Sequence, residues 1–465
     1  MFWSMNHWSD GCGLLRSFSV CLVAVGLAYL ISFVLNRVNG DVKVFDPVSD
    51  LFPGSEEVVA EPAPSLNVDL SPIEPEGTSI ATDSIHSSSA EVDPIVAEVD
   101  STDSSSMLMD YTPDHDGVSR VRAWLQEARE MPLHVAFFSD SFTEGDLLVA
   151  DFRRMLQQTF GGKGVGYLPV TSATARFRTS VRHRFGGAWA PHTLLQAGSY
   201  TASGQCDHLS GEGQVTIGIS SPTSSSKEVD RVALLYRCGG SAILTTTVND
   251  TVVSRYDLSA TEDGRLSLWE ERGGGVRSIR MEVQSDDLDV HGIFLDGATG
   301  VSVDNMSRRG ASGGELTRIS GPLCSEMRGV RNYRLIILSF GLNALSLEDE
   351  ADDYFWYYHK MKKSLAHIRE LFPDAVVLLM SVSDRATIVD GKVVTLRGVR
   401  QVRAIQKRLA RENGCLFWDT FAAMQELGGV QSLVEKGRMA KDYTHLSVSG
   451  GRELAKRLYH SLVEE

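Results

Sequence analysis

Two stretches carry residue types that could do chemistry together: Phe138-Ser139-Asp140-Ser141-Phe142 and Asp442-Tyr443-Thr444-His445. The first follows an apolar run, His134-Val135-Ala136-Phe137-Phe138, that reads as a buried strand, and it puts Ser141 just past the strand's end. The second sets Asp442 three residues before His445, ahead of a C-terminal helical pattern. On one helical turn that spacing sends both side chains to the same side, where a carboxylate can orient an imidazole. A serine hydroxyl within reach of that imidazole gives up its proton on attack and becomes a nucleophile. The pieces propose a serine esterase. Each also has an ordinary reading, since serines often end strands and a D-x-x-H pair can be a helix cap beside a surface histidine.

Position along the chain strengthens the catalytic reading. From about residue 120, apolar runs alternate with amphipathic helical patterns. The runs are 134–139, Gly300-Val301-Ser302-Val303, Tyr333–Leu338, Ala375–Met380 and Leu416-Phe417-Trp418. Helical patterns are predicted at about 146–159, 313–322, 350–371, 398–412 and 448–463. Continuous apolar strands with interleaved helices predict an α/β fold, a parallel sheet covered on both faces, with active residues at the carboxyl ends of its strands. Between about 180 and 295 the period changes to short alternating runs, such as 214–219, 231–236, 241–244, 265–268 and 277–282, separated by Gly, Asp and Ser. That predicts an all-β sandwich or jelly roll inserted between the first helix and the second strand of the α/β unit.

Two further segments fall at strand ends. Asp304 to Gly314 is rich in glycine and opens a helix, so its backbone N–H groups can approach a ligand closely, although a plain strand-to-helix turn would read the same way. Ser339-Phe340-Gly341-Leu342-Asn343 places a side-chain amide where it can donate to an oxyanion or simply cap the next helix.

The formal charge of −15 is unevenly spread. Residues 38–116 hold 18 Asp and Glu against the single base Lys43, so the rest of the chain is close to neutral. No basic stripe with interleaved aromatics is present, which argues against nucleic acid as a partner. The acidic stretch is also rich in Ser and Pro and is expected to be a disordered tether, with an end-to-end distance of about 50 Å. Before it, Ser17–Leu35 is an uncharged apolar run flanked by Arg16 and Arg37, long enough to span a bilayer. We read it as a transmembrane anchor, the alternative being a signal peptide cleaved near Val38-Asn39-Gly40. The expected order is anchor 1–37, acidic linker 38–117, catalytic part 118–180, inserted sandwich 181–295 and catalytic part 296–465. Six cysteines are few; Cys206 and Cys238 could pair in an oxidising compartment, and none has zinc-ligand spacing.

The four segments in this order resemble the SGNH (GDSL-like) hydrolases, named for their Ser, Gly, Asn and His. The resemblance covers about 120–465. It implies a flavodoxin-like three-layer α/β fold with Ser141 as nucleophile, His445 as general base and Asp442 as its orienting partner. It further implies an oxyanion hole made by the N–H groups of Ser141 and Gly310 and the amide of Asn343, with Asp140 and Gly341 as motif neighbours and no metal or organic cofactor. Glu144-Gly145-Asp146, 160–167 and 445–451 look like a narrower branch, the Gram-negative peptidoglycan O-acetylesterases, some of which carry a β-sandwich at this position. The expected substrate is therefore an O-acetylated glycan, with peptidoglycan first, reached from an inner-membrane anchor in the periplasm. Deacetylation of another glycan, acetyl transfer with the same triad, and a catalytically inactive carbohydrate-binding protein are the alternatives. Ser139 stands where the family usually has Gly, and Ala344 where it usually has Asp. Trp189 and Trp269 could stack on sugars but read more simply as core.

Overall fold

A computed structural model of the chain describes residues 107–219, 226–261, 264–346 and 353–464. The apolar run Ser17–Leu35 and the acidic stretch as far as 106 lie outside the described residues. Among the described residues no helix is long and apolar enough to cross a membrane.

The first part of the chain gives β1 (Leu108–Asp110), α1 (Gly117–Glu127), β2 (Pro132–Ser139) and α2 (Val149–Phe160). An all-β segment follows: β3 (Gly166–Leu168), β4 (Arg182–Thr193), β5 (Gln205–Gly218), β6 (Val229–Cys238), β7 (Ala242–Val248), β8 (Val252–Asp257), β9 (Ser267–Val276) and β10 (Ser278–Asp296). Alternation then resumes with β11 (Gly300–Asn305), α3 (Gly321–Met327), β12 (Tyr333–Ser339), α4 (Phe355–Leu371) and β13 (Val376–Met380). The chain ends in the hairpin β14 (Ala386–Val389) and β15 (Lys392–Thr395), α5 (Arg397–Glu412), β16 (Leu416–Trp418), α6 (Thr420–Glu426), α7 (Gly429–Glu435) and α8 (Val448–Val463).

The continuous apolar runs form a six-stranded sheet in the order β1-β16-β13-β12-β2-β11, parallel except for the edge strand β1. Counting only the parallel strands in chain order, the spatial order is 2-1-3-4-5, the flavodoxin-like arrangement, whose switch point lies between β2 and β12. Every residue of β13 and β16 is buried, as a strand covered on both faces requires. Helices α1, α2 and α6 pack against α8, while α3 and α5 pack against α4, which gives the two covering layers.

The alternating runs between α2 and β11 form the second, eight-stranded sheet. Its centre is β10, which pairs through its first half with β7 and through its second half with β6 and β3, while β5 runs beside it from Ser278 across the bulge to Val290. A bulge between Ser285 and Leu288 separates the halves and lets one strand serve both layers around a core that includes Ile217, Leu234, Leu244, Met281 and Ile293. Trp269 belongs to this core and Trp189 packs against it, as expected.

Several boundaries differ from the sequence reading. The acidic linker does not run to 117, because Leu108–Asp110 pairs with β16 as an edge strand. The inserted sheet begins before 181, since β3 pairs with β10, and it ends at Asp296. Helix α1 was not predicted, and the first helix the sequence did predict, α2, starts at Val149 rather than near 146. Residues 144–146 make one 3-10 turn, and Gly145, Asp146 and Leu148 have positive φ.

The two ends of the insertion are pinched together. Val301 N donates to Gly161 O at 2.9 Å, and a side chain at Gly300 would run into the Gly162 backbone. A buried charge cluster locks the joint. Arg331, fully buried, donates to Asp296 at 2.6 Å, reaches Asp304 at 3.0 Å and lies over the Phe294 ring at 4.3 Å. Asp304 also accepts from Tyr167 N and Tyr333 OH. His134, held near pKa 3 by burial and then by Arg331, faces Arg331 as a neutral imidazole at 3.3 Å.

Candidate active site

β2 ends at Ser139 with its backbone still extended, paired with Ser339 of β12, so a serine is accommodated where the family has glycine. Ser141 follows two residues later at the carboxyl edge, beside the switch point. Its Oγ lies 3.0 Å from His445 Nε2, and His445 Nδ1 lies 2.7 Å from Asp442 Oδ2. These three predicted residues form one hydrogen-bonded line.

Asp442 and His445 do not sit on a helical turn, as the spacing suggested. They occupy a tight loop before α8 in which Asp442 Oδ1 accepts the backbone N–H of Thr444 and His445, both at 3.0 Å, with Tyr443 at φ 54°. The carboxylate thus fixes its own loop with one oxygen and the imidazole with the other. A bridge between Met439 and Leu446 closes the loop, and Ala386 N, at the base of the β14–β15 hairpin, donates to Tyr443 O. Burial opposes ionisation of Asp442, but the hydrogen bonds from His445 and Thr444 outweigh it and hold the carboxyl below its ordinary range.

Asp140, named from sequence only as a motif neighbour, is a clamp. It is fully buried and accepts the N–H of Phe142 at 2.9 Å and that of Leu342, so it joins the serine loop to the loop that carries Asn343. Burial pushes its pKa up to about 7, against the pull of these N–H donors and of His445. Gly341 has φ 129°, and a Cβ there would come within 2.8 Å of Val382 Cβ, so the turn into Leu342 and Asn343 requires glycine.

Asn343 Nδ2 donates to Ala311 O at 2.8 Å, which uses one of its two N–H groups and ties it to the residue after Gly310. The Gly310 segment is stitched in turn to the serine loop: Arg308 N donates to Ser139 O, Asn305 Nδ2 donates to Thr143 O, and the Thr143 and Ser307 hydroxyls meet at 2.7 Å. Ser141, Gly310 and Asn343 therefore follow three adjacent strands, β2, β11 and β12, whose ends are bonded to one another.

The sequence reading missed Thr143, Asn305 and Ser307, short polar residues at strand ends whose partners are distant in sequence. It also missed Arg385, whose guanidinium donates to Leu342 O at 3.2 Å and whose charge acts on Asp442 and Asp140. The inserted segment contributes a wall. Arg318 donates to Leu194 O, and Leu195, an exposed side chain, lies next to Gly310, where an added Cβ would meet it at 3.8 Å.

No family model and no curated protein sequence matches the chain. Among solved structures, a peptidoglycan O-acetylesterase superposes with a TM-score of 0.60 at 22% identity, over 77% of this chain and 98% of that one. The chain therefore shares the fold of that esterase, as the resemblance to SGNH (GDSL-like) hydrolases led us to expect. An acetyl xylan esterase matches 35% of this chain and 82% of its own at 15% identity and a TM-score of 0.28. A family two carbohydrate esterase from Clostridium thermocellum, solved with cellohexaose, matches 54% and 92% at 12% identity and 0.25. Those two superpositions are too loose to bear on this chain.

Proposed function

We propose that the protein is a serine esterase that removes O-acetyl groups from a cell-envelope glycan, peptidoglycan first. The observation that carries the reading is the continuous line from Ser141 Oγ through His445 to Asp442, with contacts of 3.0 and 2.7 Å. His445 Nε2 takes the Ser141 proton as Oγ attacks the acetyl carbonyl, and Asp442, ionised throughout, stabilises the imidazolium that forms. The anion on the carbonyl oxygen is met by the N–H groups of Ser141 and Gly310 and by the second N–H of Asn343. Collapse returns the proton to the sugar oxygen as it leaves. Water, activated by the same imidazole, then cleaves the acetyl-serine to acetate and free enzyme. The mechanism uses only side-chain and backbone groups of this chain. The fold shared with a peptidoglycan O-acetylesterase supports an acetylated glycan as the first substrate to test, and Leu195 from the insertion would border the acyl group. In this reading Ser17–Leu35 anchors the protein in the inner membrane and the acidic tether lets the catalytic part work in the periplasm.

The test is acetate release from O-acetylated peptidoglycan by the full-length protein and by Ser141→Ala. Release by the parent alone supports both nucleophile and polymer. Turnover of 4-nitrophenyl acetate without release from peptidoglycan keeps the esterase and moves the substrate to another glycan. No turnover of either ester by folded protein overturns the reading.

A further inference from the structure

The insertion contains a second cluster of reactive side chains, well apart in sequence and unused by the esterase mechanism. Strands β5 and β10 run antiparallel with Asp207 opposite Val290 and His208 opposite Asp289. Cys206 and His208 alternate onto one face of β5, and Asp289 and His291 onto the matching face of β10. The ligand atoms of Cys206, Asp289 and His291 all lie within 4.8 Å of one another. Sequence spacing gave no hint of this, because the pairing of the two strands brings the residues together.

His291 gives the independent indication. The residue is only 2% exposed, and neither ring nitrogen has a hydrogen-bond partner. A buried imidazole with both nitrogens unanswered is costly, and a bound cation would answer one of them. We propose that Cys206, Asp289 and His291 bind a divalent late-transition-metal ion, zinc being the natural choice for a sulfur, nitrogen and oxygen set.

The surroundings suit such an ion. Both His291 ring nitrogens are unengaged, so either can turn a lone pair to the ion. Cys206 Sγ and an Asp289 carboxylate oxygen lie within 4.8 Å, an arrangement in which thiolate and carboxylate would repel each other until a dication sits between them. Metal binding replaces the thiol proton, which leaves to solvent as the sulfur–metal bond forms. His208 Nδ1, 2.9 Å from Asp289 Oδ1, orients the carboxylate from behind. Arg237 of β6, the cross-strand neighbour of Asp289, opposes the ion, while the thiolate, Asp289 and Glu326 favour it. His192, exposed and paired with Cys206 on β4, flanks the open side, where it or water completes a tetrahedron. The role is structural. The ion would pin β5 to β10 at the foot of the 194–204 loop, where Ser203 already donates to His291 O and Gln205 accepts from Arg308.

The test uses the full-length protein, stripped with chelator and titrated with zinc and with cobalt. One equivalent of zinc per chain is expected, along with a tetrahedral cobalt spectrum containing a thiolate-to-metal charge-transfer band. Cys206→Ser should lose that band while keeping the parent's circular dichroism, Asp289→Asn should lose the equivalent of zinc, and His208→Ala should weaken zinc by roughly 10–100-fold. If a variant fails to fold, the cobalt spectrum of the parent decides by itself, since absence of the thiolate band overturns the proposal. Retention of the same zinc equivalent and band by Cys206→Ser would also overturn it, by assigning the metal to another thiol.

Discussion

Replacing Asn343 separates transition-state stabilisation from folding. Its side chain is exposed, so Asn343→Ala leaves no cavity, and the bond it removes from the described structure is the 2.8 Å donation to Ala311 O. A neutral hydrogen bond of that kind contributes about 1 kcal/mol net, which for a protein of this size lowers Tm by only about 2–4 °C. If the remaining N–H serves the oxyanion, its loss costs about 2.7–4 kcal/mol in the transition state, a fall in kcat of roughly 10²–10³. KM should hardly change, because the donor acts on charge that develops only during attack. Asn343→Asp should be slower still, since it removes the donor and adds a carboxylate beside the forming anion. Initial rates on 4-nitrophenyl acetate and on O-acetylated peptidoglycan, read beside thermal melts, give both quantities. A kcat for Asn343→Ala within tenfold of the parent, equivalent to about 1.4 kcal/mol, would refute the assignment of Asn343 to the oxyanion hole.

Asp140 gives a pH prediction. With its native pKa raised from 3.8 to about 7, the folded protein holds a proton between those values that the unfolded chain has released. The stability owed to this group therefore falls as pH rises from about 4 to about 7, by on the order of 4 kcal/mol, and is flat above. Urea melts of the parent and Asp140→Asn across that range should show the slope only in the parent; equal slopes would place the effect elsewhere. Arg331→Met leaves Asp296 and Asp304 buried without their shared cation, and should destabilise by about 3–5 kcal/mol at pH 7. The loss should shrink at pH 5 as the unpaired carboxyls take up protons, which the same melts would detect.

The order of the fold was readable because its signals are local. The runs at 335–338 and 416–418 are apolar on both faces, which marks central parallel strands, and α8 was placed within its observed limits from period alone. Ser141 could be singled out because it follows a strand, and Asp442 and His445 because an acid and a histidine sit three apart ahead of the last helix; the structure brings the three together. What escaped depends on tertiary partners. β1 is three residues long and exists because β16 offers it an edge. The D-x-x-H pair suggested a helical turn, yet two backbone N–H groups competing for Asp442 made a tighter loop instead. The Cys206, Asp289 and His291 cluster depends on the register of β5 against β10, which no window along the chain reveals.

The pinched base at Gly161, Gly162 and Gly300 bears on how the chain reaches this state. Parallel pairing of β2 with β11 needs residues far apart in sequence to find each other, and closing a long unstructured loop costs entropy that grows with its length. If the sandwich folds first, its two ends emerge side by side at that pinch, and the connection that β2 and β11 must close shrinks from the whole insertion to residues 140–161, helix α2 included. The insertion then acts as a kinetic scaffold, turning a pairing of high contact order into a nearly local one. Defects deep in the sandwich should accordingly slow assembly of the catalytic sheet, even where they touch none of its side chains.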